Sequence, residues 1–546
     1  MIFDPKKYLK VILLVISLGL FLLTFFFHYR PVLISGFSPS SVDANDHAYA
    51  VRLLVTDPLL YFRGLISFNT LCDQFPTFEC KLLALSTNPP LFYLIGGIFN
   101  ILPLNEVNVA YFTATVFVSM SVIAMFLIFY YLSKNLILSF VSSLPLAFNL
   151  ITIWSIQQGL YIAIAGTLFY PLTVYFFYKS VAENRHIYFI LSLTGLLLTA
   201  SYFLIPFLFS VLLLFIATHK QRNILNYLKE LFDFFKKNKI YIIPILISIF
   251  YLVRVFNVFG PTISANSGQN LFTILDTAMI SNYGQNFHEM FLLLPNIFFF
   301  VLIGSLVVIS YYMRRRLELQ FSFLFLSGVI VIFFLPLILS LFISVPFIRN
   351  TFIATYIVKN FILLPYVFSV SFFSIFYFLM QFTTNKMHRS LLYITAFGLI
   401  IFFLVSNVNT ISLGNAIQEN VTQGFTVAPK GVNSYYNVLD FITSKRGVAF
   451  TEQQYEIIKY ININTNENSK ILIIHPNFRF ESFLSRDYKV IANQSISVSQ
   501  LNKSKVFENY THIVIPNIDI ARNFFENSNF SSVYSNSEFI IFKNYK

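Results

Sequence analysis

Val42-Asp43-Ala44-Asn45-Asp46-His47-Ala48-Tyr49-Ala50-Val51-Arg52 is the stretch on which the reading of this chain turns. It follows closely on an apolar run, Val11 to His28. That run has about 18 residues, enough to cross a bilayer core at about 1.5 Å per residue. The chain therefore leaves the membrane and soon presents two carboxylates, an imidazole and a guanidinium. Ionisable groups gathered at a bilayer surface mark a functional site by default. The competing reading is the polar lip of a loop.

Composition sets the class. Hydrophobic residues make up 56% of the 546 and charged residues only 11%, where an ordinary soluble domain carries roughly 25% charged. Apolar runs recur along the chain, which predicts a polytopic α-helical membrane protein. The net charge of +13 would suggest nucleic acid in a soluble chain. Here the basic residues flank the apolar runs, so positive-inside topology accounts for them and no nucleic-acid partner is inferred. Lys6, Lys7 and Lys10 precede the first run, which lacks a small-residue cleavage site. It reads as an uncleaved span with a cytoplasmic N-terminus.

The first external loop, 29–107, contains an amphipathic stretch from Asp46 to Leu65 broken at Pro58, read as interfacial helices. Asn88-Pro89-Pro90-Leu91-Phe92-Tyr93 opens a second apolar piece that stops at Pro103, too short to span. Cys72 and Cys80 lie in this loop and either form a disulfide or stay as thiols. The spans then run Val107 to Leu132, Leu136 to Trp154 and Gly159 to Tyr178. Ile187 to Phe215 reads as a hairpin of two short spans turning near Ser201-Tyr202, which keeps Arg185 and Arg222 on one side. Asn223 to Lys239 reads as a basic amphipathic helix on the inner leaflet. Further spans begin at Tyr241, Leu292, Leu319, Phe361 and Leu391. The total is about eleven, with the N-terminus inside and the C-terminus outside.

This gives a transmembrane domain over 1–408, a polar connector over 409–447 and an external domain over 448–546. Strand signals at Lys470 to His475, Lys489 to Ala492, His512 to Ile515 and Phe539 to Phe542 alternate with helical stretches. They predict a small α/β domain. No Gly-rich phosphate loop follows its first strand. Asn-x-Ser/Thr acceptors at Asn420, Asn493, Asn502, Asn509 and Asn529 suit an external position.

An acidic residue just outside the first span, a long first external loop and a Pro-Pro-Leu-Phe-Tyr element resemble the C superfamily of integral-membrane glycosyltransferases. Asp46-His47-Ala48-Tyr49-Ala50 and Asn88-Pro89-Pro90-Leu91-Phe92-Tyr93 are most similar to its protein mannosyltransferase and aminoarabinose transferase branch. The resemblance implies residence in a prokaryotic plasma membrane and a sugar donor carried on a polyprenyl phosphate within the lipid. It also implies that Asp46 is the catalytic or metal-associated carboxylate, with Asp43 a second. Members of that family often have Glu after the Asp, where His47 stands, and His or Lys before the Pro-Pro, where Asn88 stands.

The chemistry follows without the family. Transfer to an acceptor hydroxyl needs a base to take its proton, and Asp46 at a partly dry interface suits that role. Asp43 and Asp46 could instead hold a divalent cation, Mg²⁺ or Mn²⁺. The leaving phosphate needs positive charge, for which Arg52, Arg254, Arg349 and Lys359 are candidates. Tyr49 and Tyr93 could stack on a sugar ring. A lipid-linked saccharide flippase and a non-catalytic surface protein are the competing readings. The acceptor is not legible.

Overall fold

The computed structural model describes residues 5–35, 42–59, 61–62, 89–157, 159–183, 185–200, 203–218, 224–249, 301–302, 304–306, 320–329, 361–403, 452–466, 469–473, 489–492, 510–517, 522, 525 and 530–545. They form a helical bundle and a small sheet. Among them, the helices long and apolar enough to cross a bilayer are α1 (Pro5–Ser35), α4 (Glu106–Ser133), α7 (Tyr161–Glu183), α13 (Leu364–Phe382) and α14 (Lys386–Phe403). α4, α7 and α13 are mostly buried, whereas α1 and α14 expose most of their apolar surface. An apolar side chain left outward on a bundle helix suits lipid rather than water.

The short elements fill in between. α2 (Val42–Thr56) and α3 (Leu91–Phe99) lie against α4. At nine residues, α3 is about 14 Å long, less than half a bilayer core. The run read from the sequence as one span, Leu136 to Trp154, is two helices, α5 (Leu136–Ala147) and α6 (Leu150–Gln157). Phe148 leaves helical geometry with φ −131° and ψ 67°. Asn149 then restarts the helix, its Oδ1 accepting from the Thr152 amide at 2.6 Å, an N-cap bond.

The stretch read as a hairpin of two short spans contains two helices, α8 (His186–Ala200) and α9 (Leu204–Thr218). The turn expected near Ser201-Tyr202 lies outside the described residues. Phe207 of α9 packs near Phe189 and Phe177, with ring centres 5.9 and 5.5 Å apart. Small residues let α7 and α8 close up: a Cβ on Gly166 would lie 2.3 Å from the Ala200 Cβ. The chain then enters α10 (Ile224–Lys237), α11 (Lys239–Ile249) and, further on, α12 (Gln320–Val329).

In the C-terminal domain α15 (Glu452–Asn464) precedes a five-stranded sheet in the order β2-β1-β3-β5-β4. β1 (Lys470–Ile473) runs parallel to β2 (Lys489–Ala492) and β3 (His512–Pro516). β4 (Phe530–Ser535) and β5 (Phe539–Asn544) close the other edge antiparallel. β4 carried no strand signal because Phe530-Ser-Ser-Val-Tyr-Ser535 is a polar edge strand. Both faces are covered. Ile471, Ile473 and Val514 share a core with Ile457, Ile458 and Ile461 of α15, while Leu472, Ile513 and Ile515 pack with Phe525 and Phe542.

α15 runs antiparallel to β1, so its first turn lies beside the carboxyl ends of the parallel strands. Asn536 Nδ2 donates to the Gln453 carbonyl at 2.9 Å, and Asn517 Nδ2 to the Asn536 carbonyl at 2.6 Å. From this turn Tyr455 donates its hydroxyl to Glu106 Oε2 at 2.8 Å. The carboxyl edge of the sheet is thereby tied to the end of the bundle where α4 begins.

Candidate functional site

That end of the bundle also holds the two segments singled out in the sequence. α2 starts at Val42, so Asp46 lies in its second turn, not at its start as the sequence suggested, and Asp43 is in the first. The side chains of both aspartates lie outside the described residues. α2 continues through Ala48, Tyr49, Ala50, Val51, Leu53 and Leu54, all buried, and stops at Thr56 because Pro58 follows.

α2 approaches α3 closely because Gly96 and Gly97 face it. A Cβ on Gly96 would stand 2.8 Å from Val51 Cγ2, and one on Gly97 3.5 Å from Val55 Cγ2. That approach brings His47 to Tyr93, 46 residues away in sequence: Nδ1 and the phenol oxygen are 2.8 Å apart in a hydrogen bond. Phe92 and Tyr161, the first residue of α7, complete an aromatic wall, with ring centres 6.2 and 5.6 Å from the imidazole. Tyr61 packs edge-on to Tyr93 at 6.1 Å. Tyr61, Tyr93 and Tyr161 are fully buried, while His47 keeps part of its surface exposed. Among the described residues the Tyr61 and Tyr161 hydroxyls have no hydrogen-bond partner. Burial pushes the Tyr61 phenol above its ordinary range, so it stays protonated and able to donate.

Arg52, one turn and a half further along α2, is part-exposed and bears electrostatically on Tyr455. Burial first, and then the Glu106 carboxylate, raise the Tyr455 phenol. Glu106 sits in the first turn of α4 behind Asn105, whose Oδ1 accepts from the Asn108 amide at 2.8 Å. An acid there complements the helix dipole.

His47, Tyr49, Arg52 and Tyr93 are thus described and lie together on α2 and α3. Tyr49 is buried, placed for packing more than for stacking on an exposed ring. Asn88, Arg254, Arg349 and Lys359, as well as Cys72 and Cys80, lie outside the described residues. Tyr161, Glu106 and Tyr455 join this end without having been singled out. Nothing local marks one tyrosine among 32, whereas an Asn-Glu pair opening an apolar run is a helix-start signal that reveals Glu106. As to a cation, no three His, Cys, Asp or Glu side chains converge among the described residues. His47 offers one ligand nitrogen at most while Tyr93 holds Nδ1.

A part-buried imidazole bonded to a phenol, with a carboxylate-bearing residue beside it in sequence, is a set that can take and hand on protons. No protein-family model and no curated protein matches the chain.

Proposed function

We propose that the chain is an integral-membrane glycosyltransferase that moves one sugar from a polyprenyl-phosphate donor to a hydroxyl acceptor. The observation that carries this reading is the His47–Tyr93 hydrogen bond. It joins the two short segments on which the family resemblance rests. A resemblance of two separate pieces has more weight when both pieces meet at one end of the bundle.

In the reaction, the acceptor oxygen attacks the anomeric carbon as the bond from that carbon to the phosphate oxygen breaks. The phosphate leaves with the electron pair, and the Asp46 carboxylate takes the acceptor proton. His47, the next residue in sequence, is held by Tyr93, and Arg52 supplies positive charge on the same helix. Arg254, Arg349 and Lys359 are further candidates for the phosphate. The reading includes about eleven spans, with this end outside and the Lys/Arg-rich end in the cytoplasm, in keeping with the positive-inside rule. It also places the protein in a prokaryotic plasma membrane, with protein, lipid or surface polysaccharide as acceptor.

A lipid-linked saccharide flippase is the second reading. It is favoured by His28, an imidazole fully buried within α1 beside the Ala147 backbone, one turn from the similarly buried Thr24 hydroxyl. Polar groups inside a span mark transport routes in many membrane proteins. The purified protein should consume radiolabelled polyprenyl-phosphate sugars and release polyprenyl phosphate. Movement of intact donor between leaflets without bond cleavage would instead establish the flippase.

A further inference from the structure

The opposite end of the bundle carries a built surface that the transferase reading does not use. α10 is amphipathic, yet it turns only part of its apolar surface inward. Tyr227 is buried and Leu231 and Phe234 partly so, whereas Leu225, Leu228 and Phe232 are 67%, 50% and 70% exposed. Their spacing of three and four residues makes one outward stripe. Lys229 and Lys236 flank it, and Lys237 and Lys239 follow. From Lys220 to Lys239 the sequence has six Lys or Arg against Glu230 and Asp233.

The stripe has a fixed direction. Ser180 Oγ, at the end of α7, is 2.6 Å from His186 Nδ1 and 2.9 Å from the Tyr227 hydroxyl, and all three residues are buried. Phe234 packs against the His186 ring at 5.3 Å. This clamp holds α10 to the bundle by one side and leaves the other outward. The outward stripe leads into Ile240, Ile243, Leu246 and Ile247, each more than half exposed. An apolar belt of that extent, on a bundle whose spans also face outward with apolar side chains, fits lipid.

We infer that α10 is a preset docking face for anionic phospholipid. Leu228 and Phe232 enter the acyl boundary, and the lysines meet the headgroup phosphates. Each lysine near an anionic surface adds about 1 kcal/mol, equivalent to roughly a fivefold local enrichment per residue.

The test uses the full chain with Cys72→Ser and Cys80→Ser, carrying Leu228→Cys labelled with a fluorophore. It is reconstituted in vesicles of phosphatidylcholine and phosphatidylglycerol, in which either lipid bears brominated chains at the same mole fraction. Brominated phosphatidylglycerol should quench the label several-fold better than brominated phosphatidylcholine. The preference should vanish in high salt and in the Lys229→Gln, Lys236→Gln, Lys237→Gln variant. A label at Leu33→Cys, exposed on α1 at the other end, should show none. Equal quenching by the two lipids would overturn the inference. So would failure of both to reach Leu228, which would indicate that a second copy of the chain covers the face. No turnover is read, so the result stands apart from the transferase assay.

Discussion

At one end of the bundle α4 begins at Glu106, beside α2, α3, the start of α7 and the C-terminal domain. About 40 Å away it ends at Ser133, where Lys134 takes a left-handed backbone with φ 54°. Around that second end gather Lys179, Arg185 and the lysines of α10. Asn135 reaches α14 there, donating to the Tyr393 hydroxyl at 2.6 Å, which brings Lys386 and Arg389 to the same side. The described part of the first end is instead rich in buried tyrosine, with His47, Arg52 and Glu106 among its polar groups. Under the transferase proposal this contrast is a division of labour, with basic residues setting orientation at one end and polar groups in buried aromatic surroundings serving chemistry at the other.

Four experiments press on that contrast. The largest effect is expected for Asp46→Asn, with transfer of radiolabelled sugar falling at least roughly a hundredfold, the scale of a lost general base. Because α2 begins four residues earlier, the change removes no cap, and the melting temperature should stay put. Full activity in a folded variant would take Asp46 out of the site. Next comes Gly96→Val, whose Cβ would fall 2.8 Å from Val51 Cγ2 and should destabilise by about 1–3 kcal/mol. Gly97→Ala, with an ordinary 3.5 Å contact, should be tolerated. Thermal melting of the pair, together with the rate of His47 carbethoxylation, tells whether close α2–α3 packing holds the imidazole.

Tyr93→Phe keeps the ring and deletes one hydrogen bond, worth about 1 kcal/mol. Turnover should drop about fivefold, while lipid selectivity at α10 stays unchanged. A change at both ends would mean that the ends are mechanically coupled.

The smallest effect belongs to His512, at the edge of the sheet away from the bundle. Burial, helped by Lys543, lowers its pKa to about 4 from 6.5. The unfolded chain therefore binds the proton first, so stability is fully present above about pH 6.5 and is lost as pH falls toward about 4. With its partial solvent screening this amounts to about 1 kcal/mol or less. Melting curves at several pH values should show a shallower acid loss in His512→Gln than in the unsubstituted protein, and parallel curves would refute the assignment.

Much of the fold could be read in advance wherever charge and apolar length act together. The division of 187–215 into two short helices, α8 and α9, was legible because basic residues flank both ends of the stretch. The short Leu91 helix was legible because Pro90 and Pro103 bound it. The break between α5 and α6 was not, since Phe148-Asn149 interrupts an apolar run whose hydropathy barely dips and only the Asn149 cap betrays it. At the site, the positions of His47 and Tyr93 were legible as motifs but their bond was not. It depends on Gly96 and Gly97 admitting α2, a fact of packing. Tyr161 and Tyr455 arrive from 114 and 408 residues beyond His47, beyond the reach of any local pattern.

The Tyr455–Glu106 bond also has a consequence in time. Its partners are 349 residues apart, and chains grow at about 5–20 residues per second, so Glu106 waits roughly 20 to 70 seconds for its phenol. Until then the first turn of α4 and the neighbouring α2 lack the neighbour that α15 provides. Closing so long a loop adds little entropy beyond a shorter one, but it makes the tie among the last contacts to form. A nascent chain halted before α15 would keep the aromatic cluster of α2, α3 and α7 while the Glu106 carboxylate still lacked the Tyr455 phenol.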